Sequence, residues 1–395
     1  MAKSLVILSH SFRTNSRIFK RAVNESDEVA VLYPSPWYWN EAERDLYKNT
    51  CDKFHKKAVN HFAYELKRDF GIDLHILKSS DPVQDIQSFC RAQGVDLVLY
   101  DLPLFGKDCL DFEDLEVQDV DSDSYDPECV RMTAKSRWTY WVQNRSVIKE
   151  IEPMKIKACE CIGEKHETNI ESAKEVCLEI DSLWKRVEKK IISYFMTRNE
   201  RDGSTRLSAY LHQGLVDGPK FTSDILSLDP GYLGKGNPLI PILRQLAFRE
   251  ICIRKSRTRL LSLTACPDEW AKSLLDEKSY INLVEASHKP NFTKEDLFEG
   301  RTGKESLDKE IKFCIQERWM PNRARMWFAG EVYWGLGGGI KSLEALVEFF
   351  NTYCDDAQSP NNWVSCVESM RMQYGKVMKF NEKRTFRLLS GEERI

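Results

Sequence analysis

Four short aliphatic runs mark the first quarter of the chain: LVIL at 5–8, VAVLY at 29–33, DLHIL at 73–77 and VDLVLYD at 95–101. The first two lie about one helix length apart, the spacing of a parallel βαβ unit. The stretch 41–70 has helical periodicity, with Phe54, Val59, Phe62, Leu66 and Phe70 near one face. A second helix is predicted over 81–93, with Asp81 as N-cap and Pro82 at the first helical position. Four strands with intervening helices predict a doubly wound parallel-sheet α/β domain over 1–106. Its first turn carries neither GxGxxG nor a Walker sequence, so the usual dinucleotide fingerprint is absent. Residues 108–128 are strongly acidic, with Asp119, Asp121, Asp123 and Asp126 close together, and read as a solvated connector within a linking segment 107–170. Over 173–195 the spacing of Val176, Ile180, Leu183, Val187 and Ile191 is helical and no further βαβ pattern follows. An all-helical domain is predicted over 171–395.

Composition supports two packed domains. The chain has 395 residues, of which 42% are hydrophobic and 11% aromatic, including ten Trp. That is enough apolar bulk for two cores and argues against disorder. No apolar run approaches the ~18 residues of a membrane span, and the run at 5–8 lacks the small-residue cleavage site of a signal peptide. The expectation is a cytoplasmic monomer without a membrane partner. Twelve cysteines scattered through a large Trp-rich chain read as reduced thiols. Cys159, Cys161 and His166 are half a zinc site without its complement, so no metal is expected. The net charge of −3 conceals an asymmetry: residues 1–185 hold 25 basic and 33 acidic side chains, residues 186–395 hold 33 and 28. A polyanion would meet the second half. There Arg254, Lys255, Arg257 and Arg259 form a basic cluster that reads either as a phosphate-contacting patch or as a plain solvated face.

Four segments of the second half carry candidate chemistry. GSTRLSAYLHQG at 203–214 places hydroxyls before a helix, where unpaired N–H groups and the helix dipole favour an anion. LRQLAFREIC at 243–252 is amphipathic, with Arg249 and Glu250 near its end. FEGRTGKESLDKEIKFCIQERWMPNRARMWFAGEVYW at 298–334 joins a glycine turn to a helix and then to WMPNRARM. DDAQSPNNW at 355–363 clusters two carboxylates, two Asn amides and a Trp. GLGGG at 335–339 has no preceding strand and reads as a helix terminus, not a phosphate loop.

Taken in order, these segments resemble the photolyase/cryptochrome superfamily. The first is similar to the family's T-S-x-L-S-P-Y-L-H-x-G, with Ser204 and Thr205 in swapped order and Ala209 in place of Pro. The second is similar to L-x-E-L-x-W-R-E, and the third to E-G-x-T-G-x-P-x-V-D-A-x-M-R followed by W-M-H-N-R-x-R-M. The resemblance covers most of 194–370. It implies a U-shaped FAD among the helices and leaves open a second antenna chromophore. Ser204, Thr205, Leu207 and Ser208 would hold the diphosphate, with Tyr194 as a looser candidate. Arg249 would contact the flavin region, and Arg325 would pair with Asp355 or Asp356 beside the ring, since a buried guanidinium needs a carboxylate. Asn361 would face flavin N5, with Gln358, Ser359 or Asn362 as substitutes in a shifted register.

The implied activity is light-driven electron transfer from reduced flavin to a pyrimidine dimer flipped out of UV-damaged DNA. Asn322 and Met326 match the cyclobutane-dimer pattern. Gln245 stands where those enzymes have a lesion-binding Glu, and Pro321 replaces the His of W-M-H-N. These departures support the alternative, a cryptochrome-like receptor that photoreduces FAD without repair. Trp363, Trp327, Trp334 and Trp319 fall in flavin-lining segments, where indole chains in this family relay electrons; each also suits a packed helical core.

Overall fold

The structure is a computed structural model, and it describes residues 2–35, 51–103, 110–113, 115–120, 156–197, 200–201, 203–228, 238–259, 267–357, 359–364 and 366–367. Five strands run parallel: β1 (Lys3–Ile7), β2 (Glu28–Pro34), β3 (Leu74–Leu77), β4 (Leu97–Asp101) and β5 (Val117–Val120). Their order is β5-β4-β1-β2-β3, with Val6 opposite both Val31 and Leu99. Residues of β1 and β2 alternate between two faces, as the period of two requires. Val6, Val29 and Val31 pack with Ile18 and Phe19 of α1 (Arg17–Glu25) and Phe62 of α2 (Cys51–Glu65). Leu5, Ile7 and Leu32 pack with Ile86 and Cys90 of α3 (Pro82–Gln93). Burial on both faces explains the unbroken aliphatic runs. Asp81 caps α3 by accepting from the Gln84 N–H, with Pro82 in the first turn.

The linking segment departs from the solvated connector read from its acidity. It supplies β5, and also β6 (Lys157–Ala158) beside β2 and β7 (Glu164–Lys165) antiparallel to β3. These pairings use main-chain groups that the edges of a sheet leave open, so they need little apolar sequence. Asp119 lies in β5, where burial raises its pKa. Asp121, Asp123 and Asp126 lie outside the described residues, as do positions 36–50, which include the start of the 41–70 helix.

The rest of the described chain is helical: α4 (Ile170–Lys190), α5 (Tyr194–Thr197), α6 (Ser208–His212), α7 (Gly218–Leu228), α8 (Ile240–Thr258), α9 (Pro267–Leu274), α10 (Glu277–Glu285), α11 (Lys294–Glu299), α12 (Glu305–Glu317), α13 (Asn322–Gly335) and α14 (Gly339–Tyr353). Among the described residues no helix is long and apolar enough to cross a membrane. Helix α8 is buried along most of its length, from Ile242 and Leu243 to Arg249, Glu250 and Arg254, with Arg244 exposed.

Polar ties join the helices to the sheet. The Arg13 guanidinium donates to the Gly214 carbonyl at 2.9 Å and lies 3.7 Å from Asp217. His55 Nδ1 and Gln213 Oε1 are 2.8 Å apart. Arg257 donates to the carbonyls of Pro103 (2.6 Å) and Leu102 (3.0 Å), while buried Arg254 pairs with Glu250 at 3.1 Å. Two members of the basic cluster, Arg254 and Arg257, are therefore engaged inside the fold, which corrects the reading of a phosphate-contacting or solvated face for those two; Arg259 is exposed.

Candidate functional site

Helix α6 is only five residues long, and its N-cap, Leu207, offers no side-chain oxygen. The segment before it therefore presents hydroxyls and does not lean on a helix dipole. Ser204, Thr205, Leu207 and Ser208 line a cavity holding about 760 Å³ of empty space with its open mouth included. Tyr194 of α5 and Gln245 and Arg249 of α8 line it too, as do Asn322, Arg325, Asp356 and Asn361. Five separated chain segments thus bring these eleven residues, all singled out from sequence, to one place. Met326, Asp355 and Trp363 are not on that wall.

The fixed point of the cavity is an ion pair. Arg325 reaches both carboxylate oxygens of Asp356, at 2.8 and 3.3 Å, and also the Met320 carbonyl at 3.3 Å; both side chains are 3% exposed. Burial works against the charge on Asp356, but Arg325, and secondarily the Ser208 hydroxyl, hold its carboxyl below the usual carboxylate range. Burial likewise opposes the charge on Arg325 and the carboxylate outweighs it. Arg325 Nε is buried without a hydrogen-bond partner among the described residues. Asp355 turns the other way, to Arg318 at 2.8 Å, and burial raises its pKa. Of the two carboxylates left open by the sequence, Asp356 is therefore the partner of Arg325.

Asn361 and Asn362 both line the cavity. Asn362 is buried and donates to the Asp356 carbonyl, whereas Asn361 accepts from the Ser359 hydroxyl. Gln358 lies outside the described residues. Trp319 is on the wall. Trp363 stacks on Trp270, centroids 5.4 Å apart and planes inclined by 27°. Trp327 is buried with its indole N–H lacking a partner among the described residues, and Trp334 packs beside Tyr333 and His288. Sequence reasoning missed Ile242, Phe248 and Met320, which also line the cavity. Phe248 had a signal, because it occupies the Trp position of the second motif; Trp270 had none.

His212 closes α6 behind the cavity, 7% exposed, with Nδ1 lacking a partner among the described residues. Burial, reinforced by Arg249, His10 and His55 against the attraction of Asp356, lowers its pKa from 6.5 to about 3. The unfolded chain takes up this proton near pH 6.5 and the folded chain only near 3, so stability falls as pH falls through that window. By about pH 5 the loss from this one group amounts to about 2 kcal/mol. Urea unfolding at neutral pH and at about pH 5 should show His212→Gln losing that much less than wild type; equal losses would remove His212 from the account.

A second cavity, with about 1260 Å³ of empty space counted in the same way, lies over the C-terminal ends of β2 and β3. Tyr33, Ser35, His55, Asn60, Lys78 and His166 are on its wall.

No protein-family model and no curated protein matches the sequence. Among solved structures the chain is similar to a cryptochrome of Synechocystis sp. PCC6803, with a TM-score of 0.74, 14% identity, and 99% of this chain and 87% of that one covered. It is also similar to a bacterial class III photolyase from Agrobacterium tumefaciens, with a TM-score of 0.66, 15% identity, and 99% and 85% covered. The chain has the fold shared by photolyases and cryptochromes: a doubly wound parallel sheet followed by a helical array.

Proposed function

We propose that the chain is a member of the photolyase/cryptochrome superfamily that binds FAD in the cavity at Arg325 and acts as a light-driven photolyase on pyrimidine dimers in DNA. The observation that carries the reading is the convergence of ten motif residues and Tyr194 on one cavity around a buried ion pair. The donors suit a flavin dinucleotide. Hydroxyls of Ser204 and Thr205 match a diphosphate, and the buried Nε–H of Arg325 has bonding capacity left for a ring acceptor. When bound and reduced, FAD supplies an excited-state electron donor. Asp356 fixes the Arg325 guanidinium, and the Asn361 amide is on hand for flavin N5. Gln245 and Asn322, on the same wall, present amides that can donate to and accept from a base flipped out of the duplex. The second cavity is where an antenna chromophore would be accommodated.

Gln245 and Pro321 favour the other reading, a blue-light receptor without repair. An amide cannot serve as a charged partner for a lesion, and Pro321, buried at the start of α13, offers no donor. The test is one sample: an absorption spectrum before and after blue light, then lesion counting on UV-irradiated oligonucleotide. Light-dependent loss of lesions establishes the photolyase; bleaching without repair establishes the receptor; a protein that cannot be loaded with FAD sinks both. Under either reading, Trp270→Phe and Trp363→Phe should slow flavin photoreduction several-fold while FAD stays bound. Unchanged rates in both variants would reduce the stacked indoles to packing.

A further inference from the structure

The two sides of the cavity are held in different ways. On one side Arg325 and Asp356 are locked by burial. On the other, the turn 203–207 that presents Ser204 and Thr205 is tied to α12 by Arg206, and the chain just before the turn by Arg201. The Arg201 guanidinium bonds Glu310 at 3.0 Å and lies 4.1 Å above the Phe313 ring. Arg206 bonds Glu317 at 2.8 Å and lies 5.1 Å from the ring centre of Trp319. Phe313 and Trp319 meet edge-on at 6.5 Å, so cation, ring, ring and cation form one row along α12 and the corner after it. Arg206 has φ +55°, a left-handed conformation that costs a non-glycine residue energy and persists only where surrounding contacts hold it. The same turn is pressed onto α5: a Cβ at Gly203 would sit 1.7 Å from the Thr197 carbonyl. Trp319 is itself part of the cavity wall, so Arg206 bridges the hydroxyl turn and another stretch of that wall directly. Side chains of Arg206 and Glu317 are 32% and 31% exposed, which leaves their pairing open to salt.

We propose that Arg206, backed by Arg201, is a positioning residue that clasps the hydroxyl turn onto α12 and so sets how long a dinucleotide stays in the cavity; this rests on the flavin reading above. The clasp opens by parting Arg206 from Glu317 and Trp319, while Arg325 and Asp356 stay in place. The assay is the rate of FAD release from the loaded full-length protein, followed as the rise of free-flavin fluorescence after dilution. Arg206→Ala should release FAD about tenfold faster, the combined loss of a partly exposed ion pair and a cation–π contact. Arg206→Glu should be faster still, and combining it with Glu317→Arg should restore at least part of the retention. Added salt should speed release from wild type and leave Arg206→Ala nearly unmoved. Release from Arg206→Ala at the wild-type rate, or a charge swap no better than Arg206→Glu alone, overturns the proposal. A second measurement separates this from failure of the flavin reading: hydrogen exchange across 203–207 in flavin-free protein. Faster exchange in Arg206→Ala upholds the clasp whatever fills the cavity, and unchanged exchange overturns it.

Discussion

Asp356→Ala should destabilise the protein by about 3–5 kcal/mol and abolish FAD retention, because it strands the Arg325 guanidinium in a place where water cannot replace the lost carboxylate. Arg325 is 3% exposed, and its remaining contacts, the Met320 carbonyl and the face of Phe350, carry no full negative charge. The substitution also removes the acceptor for the Ser208 hydroxyl, so a residue of the candidate diphosphate turn loses its anchor. Asp356→Asn keeps an acceptor for both and should cost clearly less. The pair is robust to mild acid. The folded carboxyl titrates below its ordinary 3.8, so its contribution is intact above that value and is lost only as pH falls through the lower folded one. Urea midpoints together with flavin co-elution on gel filtration decide the matter. A fall of under ~1 kcal/mol with flavin retained would mean that Arg325 finds another partner and that the ion pair does not organise the cavity.

Local sequence determines some of this architecture and packing the rest, and the division follows from the physics. The four central strands were legible because burial on both faces demands aliphatic runs. Helix α3 was legible because its capping residues act within a few positions of chain. Strands β6 and β7, two residues each with exposed side chains, depend on what the sheet edge leaves open and carry no local signal. The cavity was legible as a set of residues because the order of four motifs constrains them together. It was not legible as a geometry: adjacent carboxylates Asp355 and Asp356 look alike in sequence, and only packing sends one to Arg318 and the other to Arg325. The basic cluster shows the same limit in reverse. Arg254 and Arg257 read as surface charge, yet one is paired inside the helical array and the other ties α8 to the end of β4.

Gly214→Ala should loosen the join between the sheet and the helices, with a loss of about 2–5 kcal/mol from left-handed strain and overpacking combined. Gly214 has φ +65°, and a Cβ there would lie 2.2 Å from the His10 carbonyl oxygen and 2.7 Å from the Ser11 Cα. Both neighbours are backbone, in the turn after β1 whose N–H groups at His10 and Ser11 point to the Asp101 carboxylate, so the turn cannot yield cheaply. Retreat of Gly214 would instead break its carbonyl contact with Arg13 and drag Gln213 from His55. Because Gln213 and Gly214 follow directly on α6, the displacement should reach Ser208 and weaken FAD binding without touching any residue on the cavity wall. Gly94→Ala is the matched control: φ is +61°, but no atom lies within 4 Å of its added Cβ, so it incurs the backbone strain alone. The difference between the two variants in urea midpoint isolates the steric clash at the join. If they lose the same stability and bind FAD equally well, the close approach of Gly214 to the β1 turn is not what holds α6 against the sheet.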